Sequence, residues 1–526
     1  MTRDRLIHLS VSLVACGIFV PPLVTALATV VPIVAAVTLS AVLAIIGVTL
    51  LASRLRSSPL EFLRYRYPLA LWIAVGLLAV TQSVRLSVFM HDVTRESYSV
   101  FPPPGIFGVV HPGFVHHACL TAYTEAAGMS RRRGVNIYDQ KNYLERTCEP
   151  GHSSDCIPRK LGPINVDPFQ YPPPFLLLPR VALVFTHDFF AIRAVWFTVQ
   201  VALLGLAVLS TARWIGGRIG RRATLFAPVL AISIPVLIGL QVGQFQISTF
   251  SLSMLAMVLF SRGRQAVGGG LLGFVTLGKV FPGLLALCLL GNRRPTAVAW
   301  TVGFAVFFTV VALVVIGTQP FVDFLTYQLP KLATGEAFPW LDEPDSLPIN
   351  YGIYALVMNF RSLGVSFVTH GVSSAAVSVY GIVVAGLAFI AGRRLALAST
   401  QDREQFRVRQ AQSWLALLTL GSLRSPFLPE AYAMPATFWL LTLIAAEMPR
   451  LSWKHVAALV SLGVLLSTVL ENNIPSRTVV PIVIFSLVRE VLVLSVNLWA
   501  IFRSMPVSQE LGDVLPARDQ APCVPT

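Results

Sequence analysis

Apolar runs long enough to cross a bilayer recur along this chain, and arginines stand at the ends of most of them. A transmembrane helix needs about 20 mostly apolar residues. Runs near that length lie at residues 7–27, 30–52, 68–89, 190–212, 222–242, 246–261, 296–317, 370–391, 411–428, 431–447, 455–471 and 478–501, which makes about twelve. Only 12% of the 526 residues are charged and 55% are hydrophobic. The mean hydropathy is +0.70. A soluble chain carries roughly twice that charge, so the expected fold class is an all-α polytopic membrane protein. The formal net charge of +15 does not point to nucleic acid, because positive charge in such a chain collects in cytoplasmic loops.

The basic residues orient the spans. Arg3 and Arg5, Arg54, Arg56, Arg64 and Arg66, and Arg213, Arg218, Arg221 and Arg222 mark one side. Arg262 and Arg264, Arg293 and Arg294, Arg393 and Arg394, Arg450 and Lys454, and Arg503 continue it. The positive-inside rule makes that side cytoplasmic, with both termini on it. The alternation works on one condition, that the apolar stretch Gly263–Arg294 leaves and returns on the same side. Its middle carries Lys279-Val280-Phe281-Pro282-Gly283, where proline removes a backbone donor and glycine loosens the helix. Two arms of about a dozen residues would each rise roughly 18 Å. The expected form is therefore a re-entrant or broken helical hairpin with Lys279 at its apex, in the outer half of the membrane. A charge at that depth is expensive and marks function by default; the bland alternative is a lysine snorkelling to water.

Three outer segments follow from this topology: a large first loop at 91–174, a second at 318–350, and the short connection "RSPFLPEAY" at 424–432. In the first loop a helix is expected from His117 to Met129, lying at the membrane interface with Leu120, Tyr123 and Ala127 on one face. The run "FQYPPPFLLLPRVALVF" is expected along or within the outer leaflet. Of the six cysteines, Cys119, Cys148 and Cys156 share this loop. An oxidising compartment would allow three pairings, of which the local Cys148–Cys156 disulfide is preferred. His111, His116, His117 and Cys119 match no zinc spacing, so no metal and no cofactor is expected. No phosphate-binding G-x-x-x-x-G-K-[ST] is present, which argues against ATP-driven transport, and no internal repeat of the secondary-transporter kind appears.

Four stretches in order carry a resemblance: "GVNIYD" (134–139), "YPPPFLLLP" (171–179), "GQFQISTFSLSMLAM" (243–257) followed by "GGLLGFVTLGKVFPGLL" (269–285), and "RSPFLPEAYAMP" (424–435). Together they resemble glycosyltransferase family 87 of the GT-C membrane glycosyltransferases, the mannosyltransferase-type proteins that use a polyprenyl-phosphate sugar. The resemblance covers roughly residues 68–450. It implies a GT-C-like catalytic core there, two additional N-terminal helices in 1–67, C-terminal helices in 451–503 and a cytoplasmic tail in 504–526. The chain departs from the family where its loop helix usually begins with aspartate, since "HHACLTAY" has none, and Gln246 replaces the usual asparagine.

The resemblance implies transfer of a hexose, mannose first, from a polyprenyl-phosphate donor to a lipid or glycan acceptor on the outer face of the plasma membrane. Membrane lipids are the other partners. That chemistry needs a base for the acceptor's proton and a cation for the departing phosphate. Lys279, Arg424 and Arg193 are the candidate phosphate ligands. Asp92, Glu125 and His117 are the candidate bases, and Gln244 is a candidate for sugar hydroxyls. Asp139 and Asp167 are expected to organise turns. The competing readings are a transporter or flippase of lipid-linked sugars and a non-catalytic assembly partner.

Overall fold

The structure is a computed structural model that describes residues 3–43, 66–92, 116–132, 134–146, 157–338, 341, 347–397, 402–448, 452–467 and 479–503. Helices α1 (Arg3–Leu27), α2 (Ile33–Leu43) and α3 (Arg66–Asp92) come first. The loop region holds α4 (Leu120–Met129), the short strands β1 (Leu144–Arg146), β2 (Ile157–Pro158), β3 (Lys160–Leu161) and β4 (Ile164–Asn165), and α5 (Leu177–Phe185). Then follow α6 (Phe189–Ile215), α7 (Gly217–Ile232), α8 (Ile234–Gln241), α9 (Gln246–Ser261), α10 (Gln265–Gly278), α11 (Gly283–Gly291) and α12 (Pro295–Ile316). Short helices α13 (Gln319–Asp323), α14 (Leu329–Thr334) and α15 (Ile353–Ser362) lead into α16 (His370–Leu397), α17 (Arg403–Ser422), α18 (Glu430–Glu447), α19 (Trp453–Ser467) and α20 (Val479–Phe502).

Among the described residues six helices are long and apolar enough to cross a membrane, or seven if the bent pair α7–α8 is one span. The expected twelve are not confirmed, and the run at 30–52 extends beyond the described residues. Helices α9 and α19 stop short of a full span, and α17 opens with Arg403, Glu404, Arg407 and Arg409. The run expected as one span at 222–242 is bent by 61°, where Ser233 is extended and Pro235 follows it. Helix α12 shows the membrane character most plainly: it is apolar almost throughout, yet little of it is buried within the protein. Val306, Phe307, Val310 and Val314 are all exposed, a face that only an apolar solvent would wet favourably.

The broken hairpin is present. Lys279 is extended, with φ −143° and ψ 121°, and closes α10. A Cβ on Gly269 would stand 2.6 Å from Trp300 Cβ, and one on Gly273 2.7 Å from the Thr301 carbonyl oxygen. Contacts that ascend together in both helices mean that α10 and α12 run parallel, so α11 between them must run back. The Arg294 guanidinium accordingly donates to the Phe260 carbonyl at 3.1 Å, at the foot of α9. The arms splay instead of pairing with each other. Helix α11 lies antiparallel on α16, where Gly291 meets the Phe389 carbonyl and Gly392 meets the Cys288 carbonyl backbone to backbone. Small residues permit this close approach in a membrane bundle.

The basic residues gather at one end. Arg407 donates to the Trp214 carbonyl at 2.8 Å and Arg222 to the Met448 carbonyl. The buried Glu447 carboxylate accepts from Arg409 at 3.2 Å and lies 3.3 Å from Arg503. At the opposite end, the hairpin apex, the α8–α9 turn and the loop region meet. Asn350 pins the connection before α18 there, donating to the Pro426 carbonyl at 2.8 Å and accepting from the Leu428 N–H at 2.8 Å.

The loop region corrects two expectations. Helix α4 begins at Leu120, not His117, and buries Leu120, Thr121, Ala122, Tyr123, Thr124, Ala126, Ala127 and Met129. It is an internal helix packed beneath the loop, not one lying on a membrane surface. Its alanines 122, 126 and 127 are buried against their neighbours, while Glu125 and Gly128 stay half-buried. Within the proline-rich run, Phe175 and Leu176 are fully buried, whereas α5 turns Val184 and Phe185 outward.

Candidate active site

The two strands β3 and β4 pair across Gly162-Pro163. Gly162 has φ +59°, the conformation that a two-residue hairpin with glycine first requires. The chain leaving β4 then runs beside the entry to α4. The Asn165 N–H donates to the His116 carbonyl at 2.8 Å, and the Asp167 N–H donates to Thr121 Oγ1 at 3.0 Å. This lays the Asp167 carboxylate beside His117, with Nδ1 to Oδ1 at 3.2 Å. His117 Nε2, the other ring nitrogen, lies 3.5 Å from Cys119 Sγ. Cys119 Sγ in turn lies 3.1 Å from the Tyr432 hydroxyl at the start of α18.

The second half of the site comes from the α8–α9 turn. Gly243 there has φ +67°, and its carbonyl accepts from Trp196 Nε1 at 2.9 Å. Gln200 donates to the Gln244 carbonyl at 2.7 Å. With its backbone held, Gln244 directs its side-chain Oε1 at two phenols, Tyr123 at 2.9 Å and Tyr171 at 2.8 Å. Tyr171 stacks on Phe175 with ring centroids 4.9 Å apart, and Phe175 meets Phe245 at 4.8 Å. On this aromatic bed Lys279 Nζ stands 5.1 Å from the Tyr171 ring centroid. Among the described residues no carboxylate lies within ion-pair distance of Lys279. Cys119 is a near neighbour of Lys279.

Electrostatics separate the groups. Enclosure of the His117 ring works against its charged form, but the Asp167 carboxylate, helped by Cys119, outweighs it and holds the imidazole well above its usual pKa. Burial pushes the Tyr123 and Tyr171 phenols up, so both remain neutral hydrogen-bond donors. The site thus presents an ammonium on an aromatic face, a histidine made more basic by its carboxylate partner, a thiol, and two fixed phenols. Such a set can stabilise a phosphate and move a proton.

Residues 169–426 match the family model of glycosyltransferase family 87. The chain belongs to this family. It is a membrane glycosyltransferase, and no match to it is found among curated proteins or among solved structures. The match is shorter than the expected 68–450. It takes in Tyr171, Gln244 and Lys279 but ends before Tyr432 and begins two positions after Asp167.

Of its sequence candidates, this glycosyltransferase brings His117, Gln244 and Lys279 to one place. Glu125 is elsewhere engaged, accepting from Arg159 at 2.9 Å, while Arg159 also donates to the Asn142 carbonyl at 2.9 Å; the pair braces the loop. Arg193 is buried between α3, α6 and α8, 5.1 Å from the Phe89 ring and 3.5 Å from the Gln241 carbonyl. A cation at a helix C-terminus steadies the turn that follows, here the one carrying Gln244. Arg424 is exposed and packs against Gly381 of α16. Asp92 ends α3, and its side chain lies outside the described residues, as do Cys148, Cys156 and His111. Asp139 organises a turn as expected, accepting from the Lys141 N–H at 3.1 Å.

Asp167 does not. Reading it as a turn residue is corrected by its contact with His117, which puts a carboxylate at the entry to α4 where "HHACLTAY" supplies none. Cys119, Tyr123, Tyr171 and Tyr432 were likewise missed as site residues. The signal for Tyr171 and Tyr432 was present, since both fall inside the motifs that carried the resemblance.

Proposed function

We propose that this membrane glycosyltransferase moves a hexose, with mannose the first candidate, from a polyprenyl-phosphate donor to a lipid or glycan acceptor on the outer face of the plasma membrane. The observation that carries the reading is Lys279, held over Tyr171 at the apex of the broken hairpin on the same end of the bundle as the His117–Asp167 pair. The basic end is then cytoplasmic, consistent with its arginines. The acceptor oxygen attacks the anomeric carbon while its proton passes to Nε2 of the neutral His117 ring, whose Nδ1–H faces Asp167. The bond from that carbon to the phosphate oxygen breaks, and the electron pair stays on the phosphate, where Lys279 stabilises it. Asp167 holds the imidazolium that forms. Gln244 fixes Tyr171 beneath the ammonium and offers its amide N–H groups to the sugar.

The test is turnover by purified full-length protein in lipid nanodiscs, with radiolabelled polyprenyl-phosphate mannose and a panel of lipid and glycan acceptors. Labelled product is expected with one acceptor class. If no acceptor is glycosylated and no donor is consumed, while labelled lipid crosses the bilayer in vesicles, the flippase reading replaces this one.

A further inference from the structure

Cys119, His117 and Asp167 form a group whose three ligand atoms all lie within 4.8 Å of one another. Its geometry is more specific than a proton relay needs. The 3.5 Å between Cys119 Sγ and His117 Nε2 equals the separation of two ligands on one tetrahedral zinc ion, about 3.5 Å from bond lengths near 2.3 and 2.0–2.1 Å. The remaining ring nitrogen, Nδ1, faces the Asp167 carboxylate at 3.2 Å. That is the partner a metal-bound histidine nearly always has, because it fixes the ring and raises its basicity. Tyr432 adds an oxygen 3.1 Å from the same sulfur. Thiol, imidazole and carboxylate together select a borderline-soft divalent ion over magnesium or calcium, which prefer all-oxygen shells.

We infer that Cys119 and His117, with Asp167 behind the imidazole, form a binding site for a zinc-class divalent cation. The thiolate and the carboxylate balance the dication, so Lys279 nearby faces a site with no net charge. An ion here occupies the His117 nitrogen that the proposed reaction uses for the acceptor's proton, so binding shuts transfer off. That consequence rests on the proposed function; the site itself does not.

Full-length protein is first stripped with a chelator and placed in nanodiscs. Zinc is then followed by equilibrium dialysis, and cobalt by absorption. One ion per chain is expected, with a thiolate-to-cobalt charge-transfer band. The band disappears in Cys119→Ser and in Cys119→Ala. Asp167→Asn weakens binding by about 10- to 100-fold, and excess magnesium does not compete. Absence of the band in the parent protein overturns the inference, as does parental zinc affinity in both cysteine variants. Transfer is assayed on the same samples. Zinc bound with the band present and transfer unchanged would remove His117 as the base and leave the metal site standing.

Discussion

His117 Nδ1 stands 3.2 Å from Asp167 Oδ1, although helix α4 and the four strands β1 to β4 lie between the two residues in sequence. The contact supplies the entry to α4 with a carboxylate that its own segment lacks, and it makes the imidazole a stronger proton acceptor once it is neutral. With metal kept out by a chelator, the transfer rate should therefore rise with pH through a His117 pKa well above the ordinary histidine range. Asp167→Asn removes the charge that raises this pKa. The rising limb should move to lower pH while the plateau rate falls by roughly 10²-fold or more. A pH–rate profile identical to that of the parent protein would exclude the pair from proton transfer.

Lys279→Met removes the only cation described beside Tyr171 while nearly preserving volume. Stabilisation of the departing phosphate should fall, and kcat with it, by on the order of 10²- to 10³-fold. Single-turnover kinetics, together with donor binding by scintillation proximity, separate the two effects. Unchanged donor affinity together with unchanged turnover would leave Lys279 no phosphate role.

Tyr171 has two functions that can be separated. Tyr171→Phe keeps the ring under Lys279 and loses one hydrogen bond to Gln244, worth about 1 kcal/mol or roughly a fivefold rise in donor KM. Tyr171→Leu also loses the cation–π contact, about 2 kcal/mol more when desolvated. The leucine variant should be the weaker by well over tenfold, and equal effects would show that the ring face does not matter.

Gly392 and Gly291 let α11 and α16 touch through their backbones. Gly392→Val inserts a Cβ and two methyl groups where the Cys288 carbonyl stands. Overpacking should cost about 1–3 kcal/mol, visible as a lowered melting temperature in detergent. Gly303→Val, where a Cβ meets nothing within 4 Å, is the control and should melt close to the parent protein.

Sidedness is testable by single cysteines. Substitutions at Arg264 and Arg294 should react with an impermeant maleimide from one face of sealed vesicles only, and Val280→Cys only from the other. Labelling of positions 264 and 294 from opposite faces would turn the hairpin into a single crossing.

Much of this was legible in the linear chain because it depends on local chemistry. Apolar length reports spans, proline and glycine report the break at 280–283, and arginine counts report which ends lie together. Those rules placed Lys279 at an apex and Arg294 near Arg264 without coordinates. They failed where a helix is short, bent or entered by charges, as at α7–α8, α9 and α17, since a bundle can hold such helices by packing that no single run displays. They also failed for α4, where Leu120, Tyr123 and Ala127 read as one face of a surface helix but eight of its ten residues are buried.

What the sequence by itself determined, then, is membrane residence, the broken hairpin and the family, each written in residues close together along the chain. What only the tertiary structure decided is the site. Asp167 reaches His117 because a glycine-led hairpin turns the chain back along α4, and Tyr171 reaches Lys279 because Gln244 on a distant turn holds its hydroxyl. Hydrogen bonds and ring contacts act over a few ångströms in space and are indifferent to separation in sequence. The residues that make the chemistry therefore become neighbours only after the helices have packed.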